Sequence, residues 1–158
     1  MALVRILVDG YSLLHNWPEL APGQPRHSAV ARQELVHWLT QYGDAVGTPI
    51  TVIFDGGGAP PGTPAIPSAP KMEILYSKAG QTADQIIERV AHRLSAFGEV
   101  MVVTDDYAER DTVQAVGGMA SSCLNFIQTV EATMADLQRE LKHHNQKERK
   151  QFRRHANL

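Results

Sequence analysis

Short, almost unbroken apolar runs recur along the chain, and most of them end on an acid. Val4–Val8 runs into Asp9-Gly10, Pro49–Phe54 into Asp55-Gly56-Gly57-Gly58, and Val100–Thr104 into Asp105-Asp106, while Met72–Tyr76 forms a further run between the second and the last of these. Runs of this length without polar alternation read as strands buried on both faces. Between them the apolar spacing becomes helical. Ser28 is placed to cap a helix over 29–43, where Val30, Leu35, Leu39 and Tyr42 recur and Gly43 stops the pattern. Thr82-Ala83-Asp84-Gln85 has a hydroxyl at the cap and Gln three residues on, the pattern of a capping box. The helix it opens carries Ile86, Ile87, Val90, Ala91 and Leu94 on one face, with Gly98 beyond its end. Asp106 and Glu109 have the spacing of a second box, and Met119–Ser121, after Gly117-Gly118, is a short fifth strand. From Cys123 to about His144 the pattern is helical again, with Leu124, Ile127, Val130, Met134, Leu137 and Leu141 toward the body. Strands alternating with helices, and apolar throughout, predict a parallel α/β sandwich. The stretch 56–70, with Pro60, Pro61, Pro64, Pro67 and Pro70, cannot be helix and reads as a long loop. It is either a gate over a crevice or a plain insertion.

Composition narrows the class. At 158 residues, 43% hydrophobic and 20% charged, the chain has the size and balance of one globular domain. Its single cysteine, Cys123, excludes an intramolecular disulfide and a multi-cysteine zinc site, and is read as a small core residue in a reducing compartment. No apolar run approaches the ~18 residues of a membrane span. The first strand meets Asp9 too early for a signal peptide. A soluble, cytoplasmic protein with no membrane contact and no disulfide-linked partner is expected. The net charge of −2 conceals an asymmetry: from residue 139 onward there are seven cations and two acids, net +5. The cations are Arg139, Lys142, Lys147, Arg149, Lys150, Arg153 and Arg154. Such a segment either contacts phosphates or is a solvated, fraying terminus. The chain is accordingly divided into a body, 1–145, and a basic tail, 146–158.

The acids carry the chemical inference. In a parallel sheet Asp9, Asp55 and Asp105-Asp106 all follow strands, and Asp84 opens a helix that follows one. They therefore gather at the carboxyl edge, where α/β proteins bind ligands. Glu88 lies one turn after Asp84 on the same helix face. Clustered carboxylates raise one another's pKa unless a cation neutralises them. Without an accompanying Cys/His set, oxygen ligands favour Mg²⁺ or Mn²⁺ over zinc. Such a crevice can activate water and neutralise charge developing on a phosphodiester. Singly, each acid also has an ordinary structural reading, as a turn residue or at a helix N-terminus. Tyr11, His15 and Trp17 lie near the crevice and either contact bases or pack the loop against the body.

Residues Ile6–His15, with Asp9-Gly10-Tyr11-Ser12, resemble the opening of the NYN-domain ribonucleases of the PIN-like superfamily, and among them the bacterial YacP-like family. The resemblance continues through Val52–Asp55, Thr82-Ala83-Asp84 with Glu88, and Thr104-Asp105-Asp106-Tyr107, in that order. It implies a PIN-like three-layer α/β/α sandwich around a mainly parallel sheet of about five strands, and a metal-dependent endoribonuclease. In the family's terms Asp9, Asp84 and Asp106 bind the metal, with Thr104 beside them, Asp105 as an extra carboxylate and Asp55 less firmly tied to the ion. The implied substrate is RNA, in particular single-stranded messenger RNA, in some members on the ribosome, with the basic tail as RNA or ribosome contact. Where the family usually has Asn, this chain has Ser12, a shorter group expected to reach the site through a water. That departure supports the alternative of a catalytically weakened or inactive RNA- or ribosome-binding module. Phosphatase and receiver-like readings fit poorly: Asp9 is followed by Gly10-Tyr11 rather than Asp-x-Asp, and no Lys occurs between Lys78 and Lys142.

Overall fold

A computed structural model of the chain describes residues 3–57 and 61–156; Gly58 and Pro60 of the expected loop fall outside these. The elements are β1 (Leu3–Asp9), α1 (Gly10–His15), α2 (Ala29–Val46), β2 (Ile50–Phe54), β3 (Met72–Tyr76), α3 (Ala83–Leu94), β4 (Glu99–Val103), α4 (Tyr107–Ala115), β5 (Met119–Ser121) and α5 (Cys123–Ala156). The five strands form one sheet in the order β3-β2-β1-β4-β5, and every pairing is parallel. Alternate residues of each strand face opposite sides. Ile6 and Val8 join a core covered by α1, α2 and α5, while Leu7 and Ile53 join a second core under α3 and α4. The result is the expected three-layer α/β/α arrangement. β1 lies at the centre, and the chain leaves it first toward β2 and later returns on the other side at β4. The strand order therefore diverges at the carboxyl end of β1, the place where open parallel sheets form a crevice.

Local chemistry explains both the agreements and the departures. Ser28 caps α2, its side chain accepting the Ala31 amide, and Thr82 and Gln85 complete the capping box of α3. α2 passes through Gly43 and stops at Gly47, whose φ of 72° suits glycine. Val30 is exposed and Ala31 takes the core position. Asp9-Gly10, expected as a turn, instead opens α1, with Asp9 as its N-cap. A Cβ at Gly10 would lie 2.5 Å from the Phe54 ring, so only glycine lets α1 approach β2 this closely. α5 continues to Ala156 rather than ending near His144. Residues 145–156 contain no Gly or Pro and are rich in Gln, Lys, Arg and Glu, good helix formers that need no apolar stripe. His144 and Glu148 pair at 2.9 Å, one turn apart. Phe126 rather than Leu124 is in the core, and Leu124 and Leu141 are exposed.

The loop between β2 and β3 is tied down at several described points. Pro64 oxygen accepts from Arg32 Nη2 at 2.9 Å, Ile66 N–H donates to the Tyr76 hydroxyl, and Ser68 bonds to Ile74. No helix among the described residues is long and apolar enough to cross a membrane.

Candidate functional site

The carboxyl edge of the sheet brings five acids together: Asp9, Asp55, Asp84, Asp106 and Glu109. Asp9, at the end of β1, accepts two bonds from Ser12: the amide to Oδ1 at 3.4 Å and the hydroxyl to Oδ2 at 2.9 Å. Ser12 thus reaches Asp9 directly. Burial pushes the Asp9 carboxyl up from its ordinary range; the Ser12 bonds work against this, and the charges of Asp84 and Asp55 add to it. Asp84, in the first turn of α3, is half-buried beside it. Asp106 caps α4, accepting the Ala108 and Glu109 amides at 2.9 and 3.4 Å.

Glu109 does not complete the second capping box. It turns inward, is 2% exposed, and accepts the Thr104 hydroxyl on Oε2 at 3.1 Å. Its Oε1 is buried with no hydrogen-bond partner among the described residues. Burial, and after it the neighbouring Asp84 carboxylate, push its pKa up to about 9. Oxygens of Asp84, Asp106 and Glu109 all lie within 4.8 Å of one another. Thr104 organises the group from below, because its hydroxyl also accepts the Asp106 amide at 3.2 Å.

Beside these acids lies a cleft of about 280 Å³ lined by Asp9, Ser12, Asp55 and Asp84, with His15, His27 and Tyr11 completing its wall. Asp55 Oδ1 is held by the Ser77 hydroxyl at 2.9 Å and the Gly57 amide at 3.0 Å. That geometry depends on Gly56, where a Cβ would stand 2.2 Å from the Ser77 carbonyl oxygen.

Other expected site residues lie elsewhere. Asp105 is outside the three-acid group: its Oδ1 accepts the Cys123 amide at 2.9 Å and pairs with Arg110 at 3.2 Å, tethering the start of α5. Glu88 is exposed and does not enter the group either. Tyr11 is buried, its ring packed on His27 at 4.0 Å and Phe54 at 5.1 Å, so it offers no free face to a base. Trp17 is buried as well, edge-on to Trp38 at 5.6 Å. His15 is exposed at the cleft. Cys123 is a core thiol, pushed up to about 12 by burial and by Asp105, and is no nucleophile. Arg139, Lys142, Lys147, Arg149, Lys150, Arg153 and Arg154 are exposed along α5, Arg139 paired with Asp136. At ~100° per residue all seven fall within an arc of about 160°, opposite the stripe of Phe126, Val130 and Met134 that packs on the body.

Glu109 is the residue that sequence reasoning missed. Its spacing from Asp106 was visible, but that spacing serves a solvent-facing cap equally well.

The family model for the YacP-like NYN domain matches residues 6–157. The chain belongs to the YacP-like NYN family. NYN domains are PIN-like nuclease domains, and here the match runs across residue 145 and through the basic segment of α5. Among curated proteins, this YacP-like chain is 26% identical over 138 residues to the uncharacterized protein YacP of Bacillus subtilis (strain 168), covering 87% of this chain and 81% of that one. The crystal structure of Rae1 (YacP) from Bacillus subtilis superposes with a TM-score of 0.75 at 26% identity, covering 90% of this chain and 80% of the other. Its W164L mutant gives 0.72 at 25% identity, covering 87% and 80%. These likenesses agree with the five-stranded parallel sheet and three layers described above.

Proposed function

We propose that this chain is a Mg²⁺- or Mn²⁺-dependent endoribonuclease that cuts single-stranded RNA, with messenger RNA, including messenger RNA on the ribosome, as its substrate. The observation that carries the reading is Glu109. A carboxylate oxygen buried without a partner, facing two further acids, is a costly arrangement unless a proton or a cation occupies the space between them. The oxygen-only donor set of Asp84, Asp106 and Glu109 fits a hard divalent cation. Those three would hold the ion, with Asp9 alongside. When bound, such an ion lowers the pKa of a water and neutralises charge on the phosphodiester. The chain's own groups do the rest. Thr104 fixes Glu109 and the Asp106 amide together, Ser12 orients Asp9 and favours its ionised form, and Asp55 borders the cleft that receives the strand. The cationic face of α5 and His15 at the cleft hold the RNA, the former through phosphates.

The direct Ser12–Asp9 bond favours a working nuclease over an inactive binding module, because serine supplies the donor that the first acid needs. The test is calorimetric titration of Mn²⁺ into wild type and Asp84→Asn, alongside cleavage of a long labelled RNA with and without ribosomes. Metal binding and cleavage that both vanish in Asp84→Asn support the assignment. Full cleavage by that variant would overturn it, and binding of RNA without cleavage under any of these conditions would favour the binding module.

A further inference from the structure

Tyr107, the first residue of α4, directly follows Asp106 and is 76% exposed. It belongs to neither hydrophobic cluster, so core packing gives no reason for an aromatic ring at this point. One ring face is already occupied: the Arg110 guanidinium carbon stands over it, 5.0 Å from the centroid. Arg110 is fixed in turn, its Nε donating to the Thr104 carbonyl oxygen at 2.9 Å and its Nη2 to Asp105 at 3.2 Å. Thr104 thus anchors both sets of groups, through its hydroxyl the acids and through its carbonyl the cation behind the ring.

We infer that Tyr107 is a stacking platform for a nucleobase of single-stranded RNA next to the cleavage site. The inference rests on the nuclease reading and deepens it by naming how a base is seated. A ring whose back is covered by a fixed guanidinium, whose other surface is exposed, and which follows an acid of the site directly in the chain suits a flat, uncharged π-system. Any base offers such a surface, so the contact tolerates sequence. The guanidinium behind the ring attracts it by cation–π interaction, which favours this orientation before RNA arrives. The exposed aromatic of α5, Phe152, lies near the far end of that helix, away from the acids, and Tyr11 and Trp17 are buried. Tyr107 is thus the exposed aromatic beside the acids.

The test compares Tyr107→Phe, Tyr107→Leu and Tyr107→Ala in the full chain. Steady-state cleavage of a labelled single strand is measured first. Fluorescence of 2-aminopurine placed singly along the same strand is then read with each change made in an Asp84→Asn background. Stacking predicts that Phe behaves as wild type, while Leu and Ala raise KM on the order of ten-fold, with kcat, melting temperature and Mn²⁺ affinity little changed. It also predicts that one 2-aminopurine position is quenched by the Tyr and Phe forms and not by Leu or Ala. Unchanged KM and quenching in Tyr107→Ala would overturn the inference, as would a Leu variant as good as Phe. If wild type cuts no RNA, the nuclease reading fails, and the quenching pattern alone then decides for or against stacking.

Discussion

Thr104 and Glu109 are joined by a buried hydrogen bond of 3.1 Å, the hydroxyl donating to Oε2. Asp106, three residues before Glu109, does what a cap should, but its expected partner has left the helix end for the interior. An acid that gives up a solvent-facing role for a buried one beside Asp84 must be neutralised by a proton or by a cation.

The proton has a measurable consequence. In the metal-free protein Glu109 is pushed up to about 9, against 4.5 for the ordinary side chain. Between those values the folded state holds a proton that the unfolded chain has released, so stability is fully present below about 4.5 and declines as pH rises through about 9. Chemical denaturation in EDTA across this range should show that decline. Glu109→Gln, which keeps the shape and removes the charge, should flatten it and stabilise the protein at pH 8 by on the order of 2 kcal/mol, while Mn²⁺ binding is lost. A variant with the wild-type slope would place the proton elsewhere.

Ser12→Ala should raise the Asp9 pKa further, because a donor to the ionised carboxylate is gone. Cleavage is expected to fall about ten-fold near neutrality, as for a lost charge-assisted bond of ~1.5 kcal/mol. The acid limb of the pH–rate profile should move upward, so that part of the loss is recovered at higher pH. Ser12→Asn should restore the profile. A uniform loss at every pH would instead assign Ser12 to the stability of α1.

The adjacent acids Asp105 and Asp106 should separate cleanly. Asp105→Ala leaves the Cys123 amide and Arg110 Nη2 without their acceptor, and should destabilise the fold by about 1–2 kcal/mol with Mn²⁺ affinity retained. Asp106→Asn keeps a good cap and should leave stability nearly unchanged. Its Mn²⁺ affinity, measured by calorimetry, should drop by more than ten-fold, since one charged ligand is gone.

Replacing Lys147, Lys150, Arg153 and Arg154 by Gln should leave the helix intact, as read by circular dichroism, because Gln is a good helix former. RNA affinity should fall, and the slope of log K against log salt should shrink by about 0.7 for each phosphate contact removed. An unchanged slope would show that these cations do not touch the RNA.

What the sequence makes legible here is what local chemistry decides. Apolar runs such as Ile50–Phe54 announce buried strands, and the hydroxyls of Ser28 and Thr82 mark helix starts within one turn of themselves. α1 escapes such reading because six residues are too few to display a helical period, and Asp9-Gly10 serves a turn equally well. The far half of α5 escapes it for the opposite reason, since a helix that packs on nothing needs no apolar stripe. At the site, the gathering of acids follows from strand direction alone. Their division of labour does not. Which of Asp105 and Asp106 faces the crevice depends on how the chain leaves β4, and whether Glu109 caps or turns inward depends on Thr104 and Asp84 across the fold.

The last side chain of α5 packed against the body is Leu137, yet the helix continues to Ala156, about 28 Å farther at ~1.5 Å per residue. Its root, Cys123, is tethered through Asp105, the immediate neighbour of Asp106. A continuous helix, unlike a loose tail, keeps its charges at a set distance from the acids, and on the proposed nuclease reading it would work as a caliper. A strand that meets both must span that gap, and a shorter fragment can occupy one jaw or the other but not both. On that reading, the molecule would measure length before any base is read.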